Sequence, residues 1–187
     1  MHLQEQECVE IIPFEPRYRN DFKRLNIEWL EKHFYVEAID DEVLSHPETV
    51  ILKPGGHIFL ARYKGEIVGT SALIKAGRTR VELSKMAVTE RCQGLGIGRR
   101  LLLAAIATFK TMGAKQLFLE SNSKLKPALT LYEAQGFRHA PRPKMASHYS
   151  RSDVYMVCEP SDTRPGRRSA TASRAKQRVA GGKATRR

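Results

Sequence analysis

The run from Arg91 to Arg100, Arg-Cys-Gln-Gly-Leu-Gly-Ile-Gly-Arg-Arg, is the segment of the sequence best suited to bind a ligand. Its three glycines occupy alternate positions, and a glycine backbone lets a ligand approach closely. An apolar helical pattern begins at Ile97, so the N–H groups and positive dipole end of a helix would lie at the same place. The run contains no acid, and its three arginines can donate to phosphate oxygens. These features together predict a phosphate or pyrophosphate site.

Two other glycine-rich phosphate sites fit the run less well. A P-loop requires Gly-Lys-Ser or Gly-Lys-Thr, which the run lacks. A dinucleotide fingerprint requires G-x-G-x-x-G, and here the third glycine, Gly98, falls one place early. Glu120 ends the following strand about where a ribose-binding acid would lie, which supports the dinucleotide alternative. The preceding strand, Val81 to Met86, is half polar rather than buried on both faces, so a dinucleotide-dependent oxidoreductase ranks third among the hypotheses.

Apolar periodicity places the glycine-rich run between a strand and a long helix. Lys64-Gly65 is a two-residue hairpin signal, and Gly113 and Gly136 fall where helices would end. The order of elements is β, α, α, three strands, α, β, α, β, β, which predicts a mixed α/β sheet. The predicted strands are residues 8–12, 57–63, 66–74, 79–88, 115–121, a strand from 137 onward and 153–158; the predicted helices are 16–33, 40–45, 97–112 and 127–135.

The net charge of +12 is concentrated at one end of the chain. Residues 160–187 contain nine basic side chains and one acid, a charge of +8, which leaves +4 for residues 1–159. The segment has one large apolar residue, Val179, and cannot bury enough surface to offset its ordering entropy. We therefore expect one folded domain, 1–159, and a basic disordered tail, 160–187. The tail could make weak, nonspecific contact with nucleic acid, but the charge says little about the folded part.

Other classes of protein are disfavoured by composition. Cys8, Cys92 and Cys158 are odd in number and lack metal-ligand spacing, which predicts thiols rather than a disulfide framework or a metal site. The first residues are polar, and no apolar run approaches the ~20 residues that cross a bilayer. We expect a cytoplasmic protein that contacts no membrane.

The glycine-rich run also resembles a family signature. Arg91-Cys92-Gln93-Gly94-Leu95-Gly96 matches the Q/R-x-x-G-x-G/A motif of the GNAT acetyltransferases. Residues 82–88, Glu-Leu-Ser-Lys-Met-Ala-Val, resemble the family's fourth strand, and residues 131–137, Leu-Tyr-Glu-Ala-Gln-Gly-Phe, resemble its L-Y-x-x-x-G-F segment. The resemblance implies a mostly antiparallel central sheet of about seven strands with flanking helices. It also implies that the sheet splays between its fourth and fifth strands, where a β-bulge frees backbone groups.

The resemblance implies acetyl-CoA as cosubstrate and no metal. Backbone groups of the fourth strand would pair with the pantetheine arm, and the glycine-rich loop would hold the pyrophosphate. Asn122, just past the fifth strand, and Tyr132 would also contact the cofactor. The implied cofactor-binding residues are Met86, Ala87, Val88, Arg91, Gln93, Gly94, Leu95, Gly96, Ile97, Gly98, Arg99, Arg100, Asn122 and Tyr132.

The family's chemistry is direct transfer of an acetyl group to an amine in a ternary complex. Tyr132 matches the family's tyrosine acid, although its helix face also suits core packing. Glu82 is the candidate base, because it lies four residues before Met86 on the strand and both would share one face if no bulge intervened. A solvated carboxylate, or a partner for Lys85 or Arg80, is equally compatible with the position of Glu82. Glu120 is the substitute base, with a salt bridge as its alternative role.

The resemblance assigns the acceptor pocket to the first two helices and to the loop between the last strands. The acceptor would be a primary amine of a small molecule or peptide, and the enzyme a monomer or homodimer. The alternative function is an acetyl-CoA-binding sensor that contacts nucleic acid through its basic tail. The residues nominated for the acceptor pocket are Trp29, Glu37, Glu120 and Arg151, together with Phe34, Tyr35, His148, Tyr149 and Asp153.

Overall fold

Seven strands form one mixed sheet in the computed structural model, which describes residues 8–143 and 149–160. The strands are β1 (Glu10–Pro13), β2 (His57–Tyr63), β3 (Glu66–Lys75), β4 (Arg80–Val88), β5 (Gln116–Ser121), β6 (Arg138–His139) and β7 (Val154–Cys158). The helices are α1 (Arg19–His33), α2 (Ala38–Ser45), α3 (Ile97–Thr111) and α4 (Lys126–Ala134). The predicted order of elements is confirmed, with their ends shifted by a few residues.

The spatial order of the strands is β1-β2-β3-β4-β5-β7-β6. Hairpins make β2, β3 and β4 antiparallel neighbours, and Lys64 and Gly65 both have positive φ in the turn between β2 and β3. That conformation matches the twist of a two-residue hairpin. The connection through α3 makes β4 and β5 parallel, whereas β5, β7 and β6 pair antiparallel. The expected mixed, mostly antiparallel sheet is confirmed.

The two central strands separate soon after they meet. Pairing of β4 with β5 is confined to Arg80↔Gln116, Val81↔Leu117 and Glu82↔Phe118. From Leu83 to Val88, β4 therefore has one edge that no residue of β5 covers. The predicted splay between the fourth and fifth strands is confirmed.

A β-bulge interrupts β4 just beyond this point. Thr70 pairs with Ala87 and Ala72 pairs with Ser84, so Lys85 and Met86 together oppose Ser71. Lys85 has a φ of 52°, in the left-handed region. A side chain with a Cβ adopts that conformation at a cost of about 1–2 kcal/mol, so other contacts must hold it in place.

Each face of the sheet has its own core, because neighbouring strand residues point to opposite faces. Leu73 of β3 packs on the side of α3, whereas its neighbour Ala72 packs against α1 and α2. The apolar helical pattern predicted from Ile97 onward is confirmed, because its residues within α3 are fully or nearly buried. The buried residues of α3 are Ile97, Leu101, Leu102, Ala105, Ile106 and Phe109.

One helical turn was not predicted. Pro47 follows α2, yet residues Glu48–Leu52 form a further wide turn that buries Ile51 completely. Burial of that side chain against the core of α1 and α2 stabilises the turn. The single apolar position that it buries was too little to mark it as a helical pattern.

Cys8, Cys92 and Cys158 are thiols, as predicted. Within the described residues, no helix is long and apolar enough to cross a membrane. The tail prediction concerns residues almost all of which, 161–187, lie outside the described part of the chain.

Truncation of Phe109 tests the packing of α3. Its ring is fully buried against the sheet. We expect Phe109→Ala to lower the free energy of unfolding by about 3–5 kcal/mol in urea titrations, because it leaves a cavity in the core. Leu103→Ala on the same helix removes a side chain that is 37% exposed and should cost less than about 1 kcal/mol. Equal losses for the two variants would contradict this packing.

Candidate active site

A cavity of about 690 Å³ occupies the gap between the separating strands. It extends from the first two helices, along the uncovered edge of β4, to the N-terminus of α3 and to α4. Residues from both faces of the sheet contribute to it because the gap interrupts the sheet. Its lining includes Trp29, Phe34, Asp40, Glu82 to Val88, Gln93, Gly94, Gly96 to Arg99, Leu119 to Asn122, Leu131, Tyr132, Tyr149 and Arg151.

The glycine-rich loop forms one end of the cavity. Gly94 and Gly96 have φ of 79° and 74°, and a Cβ at either position would have no heavy atom of the chain within 4 Å. These glycines are therefore required by backbone conformation rather than by crowding. Gly96 is the residue before α3, whose first turn contains no acid. The unpaired N–H groups of that turn lie where the sequence predicts an anion site, and their binding of an anion stays a prediction.

The three arginines of the loop have different surroundings. Arg99 lines the cavity. Arg91 is exposed and forms an ion pair with Glu66, and Arg100 donates from Nη1 to the carbonyl of Val9 at 2.9 Å. Neither Arg91 nor Arg100 lines the cavity, nor does Leu95, whose side chain is exposed. A cofactor role for Arg91, Leu95 and Arg100 stays a prediction that the cavity does not support.

The strand segment predicted to bind the cofactor arm lines the cavity. Met86, Ala87 and Val88 all line it, on the edge of β4 that β5 leaves uncovered. Backbone N–H and C=O groups on such an edge require hydrogen-bond partners from elsewhere. An extended polar ligand could supply them in the way that an added strand would.

Tyr132 lies near the same strand. Its hydroxyl points at Met86 and lies 3.9 Å from the Sδ atom, and its ring packs against Phe137 at 5.9 Å between centroids. Burial raises the pKa of Tyr132 to about 12, so the hydroxyl stays protonated at neutral pH. Tyr132 thus both lines the cavity and packs on the core, so a role as the acid is compatible with a role in core packing.

Glu82 and Met86 do not share a face of β4. Glu82 pairs with Ile74, which packs on the side of α1 and α2, whereas Met86 packs with the core of α3. The bulge at Lys85 and Met86 supplies the extra residue that breaks the alternation. The prediction of a shared face held only for a strand without a bulge. Because the bulge is present, Glu82 and Met86 lie on opposite faces, although both line the cavity.

Glu120 lies on the same face of the sheet as Glu82. Leu119 packs in the core of α3, so its neighbour Glu120 points the other way, and both of its carboxylate oxygens are buried. Burial raises the pKa of Tyr155, Arg80 opposes that rise, and the charges of Glu120 and Glu82 add smaller increases. The cavity therefore contains two acids close to the point where β4 and β5 separate.

Asn122 organises the chain after β5. Its Nδ2 donates to the carbonyl of Arg151 at 2.7 Å, and its Oδ1 accepts from the N–H of Lys124 at 2.9 Å. The residue lines the cavity, but both of its polar atoms bind the protein's own backbone. Its contact with a cofactor stays a prediction.

The residues nominated for the acceptor pocket are only partly brought together. Trp29, Phe34, Tyr149 and Arg151 line the cavity, and Glu37 accepts a hydrogen bond from Nη1 of Arg151 at 2.9 Å. Tyr35 is exposed and hydrogen-bonds Ser150, while Asp153 accepts from Ser123. Glu37, Tyr35 and Asp153 lie outside the cavity lining, and His148 lies outside the described residues.

A buried network of charges in the cavity wall was not predicted. Asp40 is fully buried and accepts from Nζ of Lys85 at 2.8 Å. It also accepts from both terminal nitrogens of Arg151, at 2.7 and 3.0 Å. Lys85 in turn donates to the hydroxyl of Tyr149 at 3.0 Å. The signal was present in the sequence, because Asp40 falls on the apolar face of α2 and Lys85 follows Val81 and Leu83 at the buried spacing of β4.

The pairing keeps Asp40 ionised. Burial alone would raise the pKa of Asp40, but hydrogen bonds from Arg151 and the charge of Lys85 outweigh it and hold the pKa below the ordinary range. Loss of one partner from a buried ion pair typically costs about 3–5 kcal/mol, because the remaining charge stays buried. The network is therefore a strong link between α2, β4 and the chain near Arg151.

The lowered pKa of Asp40 predicts a pH-dependent contribution to stability. The contribution is complete above the unfolded pKa, about 3.9, and is lost as pH falls through the lower folded pKa. Urea titrations should show Asp40→Asn less stable than wild type by about 3 kcal/mol at pH 7, with the difference shrinking below pH 4. Asp41→Asn, at an exposed neighbour paired with Lys23, should have a much smaller effect. A difference between wild type and Asp40→Asn that stays constant down to pH 2 would refute the assignment.

Comparison of the sequence with known proteins finds acetyltransferases. The model of the acetyltransferase (GNAT) family matches residues 13–137. The uncharacterized N-acetyltransferase YjgM of Escherichia coli K12 is 32% identical over 105 residues, which cover 54% of this chain and 63% of YjgM. The N-alpha-acetyltransferase RimI of Mycobacterium tuberculosis is 32% identical over 110 residues, covering 57% of this chain and 68% of RimI.

Solved structures share the fold. The crystal structure of a GNAT-family acetyltransferase from Staphylococcus aureus Mu50 has a TM-score of 0.75 and 24% identity, over 82% of this chain and 99% of that one. The structure of yncA from Salmonella typhimurium, solved with its cofactor acetyl-CoA, has a TM-score of 0.65 and 17% identity, over 81% and 94%. Because the family model matches more than half of its residues, this chain belongs to the acetyltransferase (GNAT) family and contains that family's acetyltransferase domain.

Proposed function

We propose that the protein is an N-acetyltransferase that moves an acetyl group from acetyl-CoA directly to a primary amine. The observation that carries the proposal is the continuity of the cavity. One cavity connects the glycine-rich loop, the uncovered edge of β4, Tyr132 and Glu82. Each of these is suited to a different part of the reaction.

The phosphate end of the cavity fits the charge of acetyl-CoA. The first turn of α3 offers backbone N–H groups and contains no acid, and Arg99 and Lys124 both line the wall. Helix N-termini and arginine side chains are favourable partners for phosphate oxygens. The pyrophosphate would be held by the backbone from Gln93 to Arg99.

The edge of β4 fits the extended arm of the same molecule. The backbone from Met86 to Val88 would donate to and accept from the pantetheine amides, in place of the partner strand that β5 does not provide. This arrangement would point the arm at Tyr132 and at the point where the strands part.

The thioester of acetyl-CoA supplies an activated acetyl group. Glu82 would take a proton from the acceptor nitrogen, which must be neutral to act as a nucleophile. Tyr132, whose raised pKa keeps the hydroxyl protonated, would donate to the departing sulfur. Positioned acid and base groups each contribute typically about 10²–10⁴ in rate.

The acids of the cavity favour a cationic acceptor. Glu82 and Glu120 share a face beside the strand separation, and a primary amine arrives there mostly as an ammonium ion at neutral pH. Carboxylates attract that ion and can then accept its proton. The acceptor would therefore be the amine of a small molecule or of a peptide.

An enzyme is a better account of this cavity than a binding module. A sensor that only holds acetyl-CoA needs the loop and the strand edge, but not an acid and a base in the same cavity. Both Tyr132 and Glu82 line it. The nucleic-acid contact of the alternative would depend on residues 160–187, of which only Pro160 lies in the described part of the chain.

Turnover tests the roles of Glu82 and Tyr132. Coenzyme A release from acetyl-CoA with polyamines, amino acids and peptides would be followed by mass spectrometry. For an accepted amine, Glu82→Gln and Tyr132→Phe should each lower kcat about a hundredfold or more and leave acetyl-CoA binding unchanged. Tyr35→Phe, at an exposed tyrosine outside the cavity, should retain wild-type turnover. Full activity in both cavity variants would exclude the proposed acid and base.

Two of the three arginines of the loop, Arg99 and Arg91, provide a matched test of the phosphate site. Arg99→Ala should weaken acetyl-CoA binding about tenfold in calorimetry, because it removes a charge-assisted contact. The loss should diminish between about 50 and 300 mM NaCl as salt screens that contact. Arg91→Ala removes an arginine that pairs with Glu66 outside the cavity and should bind acetyl-CoA as wild type does. The reverse order of effects would place the phosphates elsewhere.

A further inference from the structure

Lys85 combines an unusual backbone with an unusual side-chain environment. It is one of two non-glycine residues in the described part of the chain that have positive φ. The other, Lys64, lies in the tight turn between β2 and β3, where positive φ is required by the hairpin. Lys85 lies inside a strand, where nothing in the local sequence demands that conformation.

The side chain of Lys85 is buried, and its ammonium group has two hydrogen-bond partners. It is 4% exposed, and its Nζ donates to Asp40 at 2.8 Å and to Tyr149 at 3.0 Å. The same Nζ lies 4.8 Å from the centre of the Tyr149 ring. An ammonium ion buried this deeply is stable only where such partners meet it.

Asp40 is itself fixed in position. Arg151 donates to both of its carboxylate oxygens, and the N–H of Glu37 donates to its Oδ2 in the cap of α2. A rigid acceptor at this point holds the ammonium of Lys85, and through it the backbone of residue 85, on the side of α2.

The bulge at Lys85 determines which backbone groups the next residues expose. Lys85 and Met86 together oppose Ser71, so the strand after the bulge is displaced by one residue relative to β3. Met86 to Val88 follow Lys85 and line the cavity on the uncovered edge, as do Leu83 to Lys85. Without the extra residue, alternation would turn those residues to the opposite faces.

We propose that the ion pair between Lys85 and Asp40 positions the uncovered edge of β4 for the pantetheine arm, by holding residue 85 in its left-handed conformation. Lys85 lines the cavity, but its Nζ is engaged by Asp40 and Tyr149, so the role assigned to it is that of a positioning residue that acts through the backbone. The inference rests on the proposed function, since it concerns how the acetyl-CoA edge is held. It also links the cofactor edge to α2 and Arg151, which form the acceptor side of the cavity.

Two substitutions at the same position separate conformation from charge. Lys85→Met removes the ion pair and keeps a side chain that disfavours positive φ, so the bulge should relax and acetyl-CoA should bind about tenfold more weakly in calorimetry. Lys85→Gly removes the same pair but adopts positive φ without strain, so its affinity should stay within about threefold of wild type. Asp40 keeps its two hydrogen bonds from Arg151 in both variants, which favours folding.

A second measurement does not depend on the ligand. Amide hydrogen exchange at Met86, Ala87 and Val88 in the absence of acetyl-CoA should change in Lys85→Met and remain close to wild type in Lys85→Gly. Lys64→Met and Lys64→Gly, at the other positive-φ lysine, should alter neither the affinity nor exchange at these three residues.

The outcomes separate this inference from the proposed function. Equal weakening by Met and Gly would show that the charge of Lys85 matters and its conformation does not, and it would overturn the inference. Wild-type affinity and exchange in Lys85→Met would overturn it as well. If the wild-type protein fails to bind acetyl-CoA, the proposed function fails, and the exchange experiment still decides whether Lys85 holds the bulge.

Discussion

The site depends on one constraint: β4 and β5 pair over three residues and then separate. A parallel pair that continued to Val88 would satisfy the edge of β4 with its own hydrogen bonds and close the gap. Because the strands part, the cavity opens within the sheet and receives residues from both faces. The helix that connects the two strands begins at the same end of β4, so its N-terminal amides join the gap without any further arrangement.

The two halves of the cavity are held by different kinds of interaction. On the side of α3 and α4, apolar packing positions the glycine-rich loop and Tyr132 against the core. On the side of α1 and α2, the network around Asp40 connects β4 to the chain near Arg151 by charge-assisted hydrogen bonds. Apolar contacts tolerate small displacements, whereas a buried ion pair requires its partners in fixed places. The second half of the cavity is accordingly the one whose geometry depends on single residues.

Much of the fold could be predicted from the sequence because its signals are local. The apolar period of α3, the hairpin at Lys64-Gly65 and the glycines before α3 each act within a few residues. The ion pair between Asp40 and Lys85 could not be predicted in the same way, because its members are 45 residues apart along the chain. Whether Glu82 and Met86 share a face depends on the bulge at Lys85. That bulge is set by the pairing of β4 with β3, and no local pattern encodes it. Arg91, Arg99 and Arg100 all lie in the glycine-rich run, and only the folded chain separates their surroundings.

The central claim is that acetyl-CoA binds along the uncovered edge of β4 and at the N-terminus of α3. Hydrogen exchange followed by mass spectrometry, with and without saturating acetyl-CoA, tests it most directly because backbone amides are the proposed ligands. Binding at these two places should slow exchange in peptides that cover residues 86–88 and 93–99, with little change in the hairpin between β2 and β3. Unchanged exchange in both of those segments, or protection confined to another part of the sheet, would contradict it.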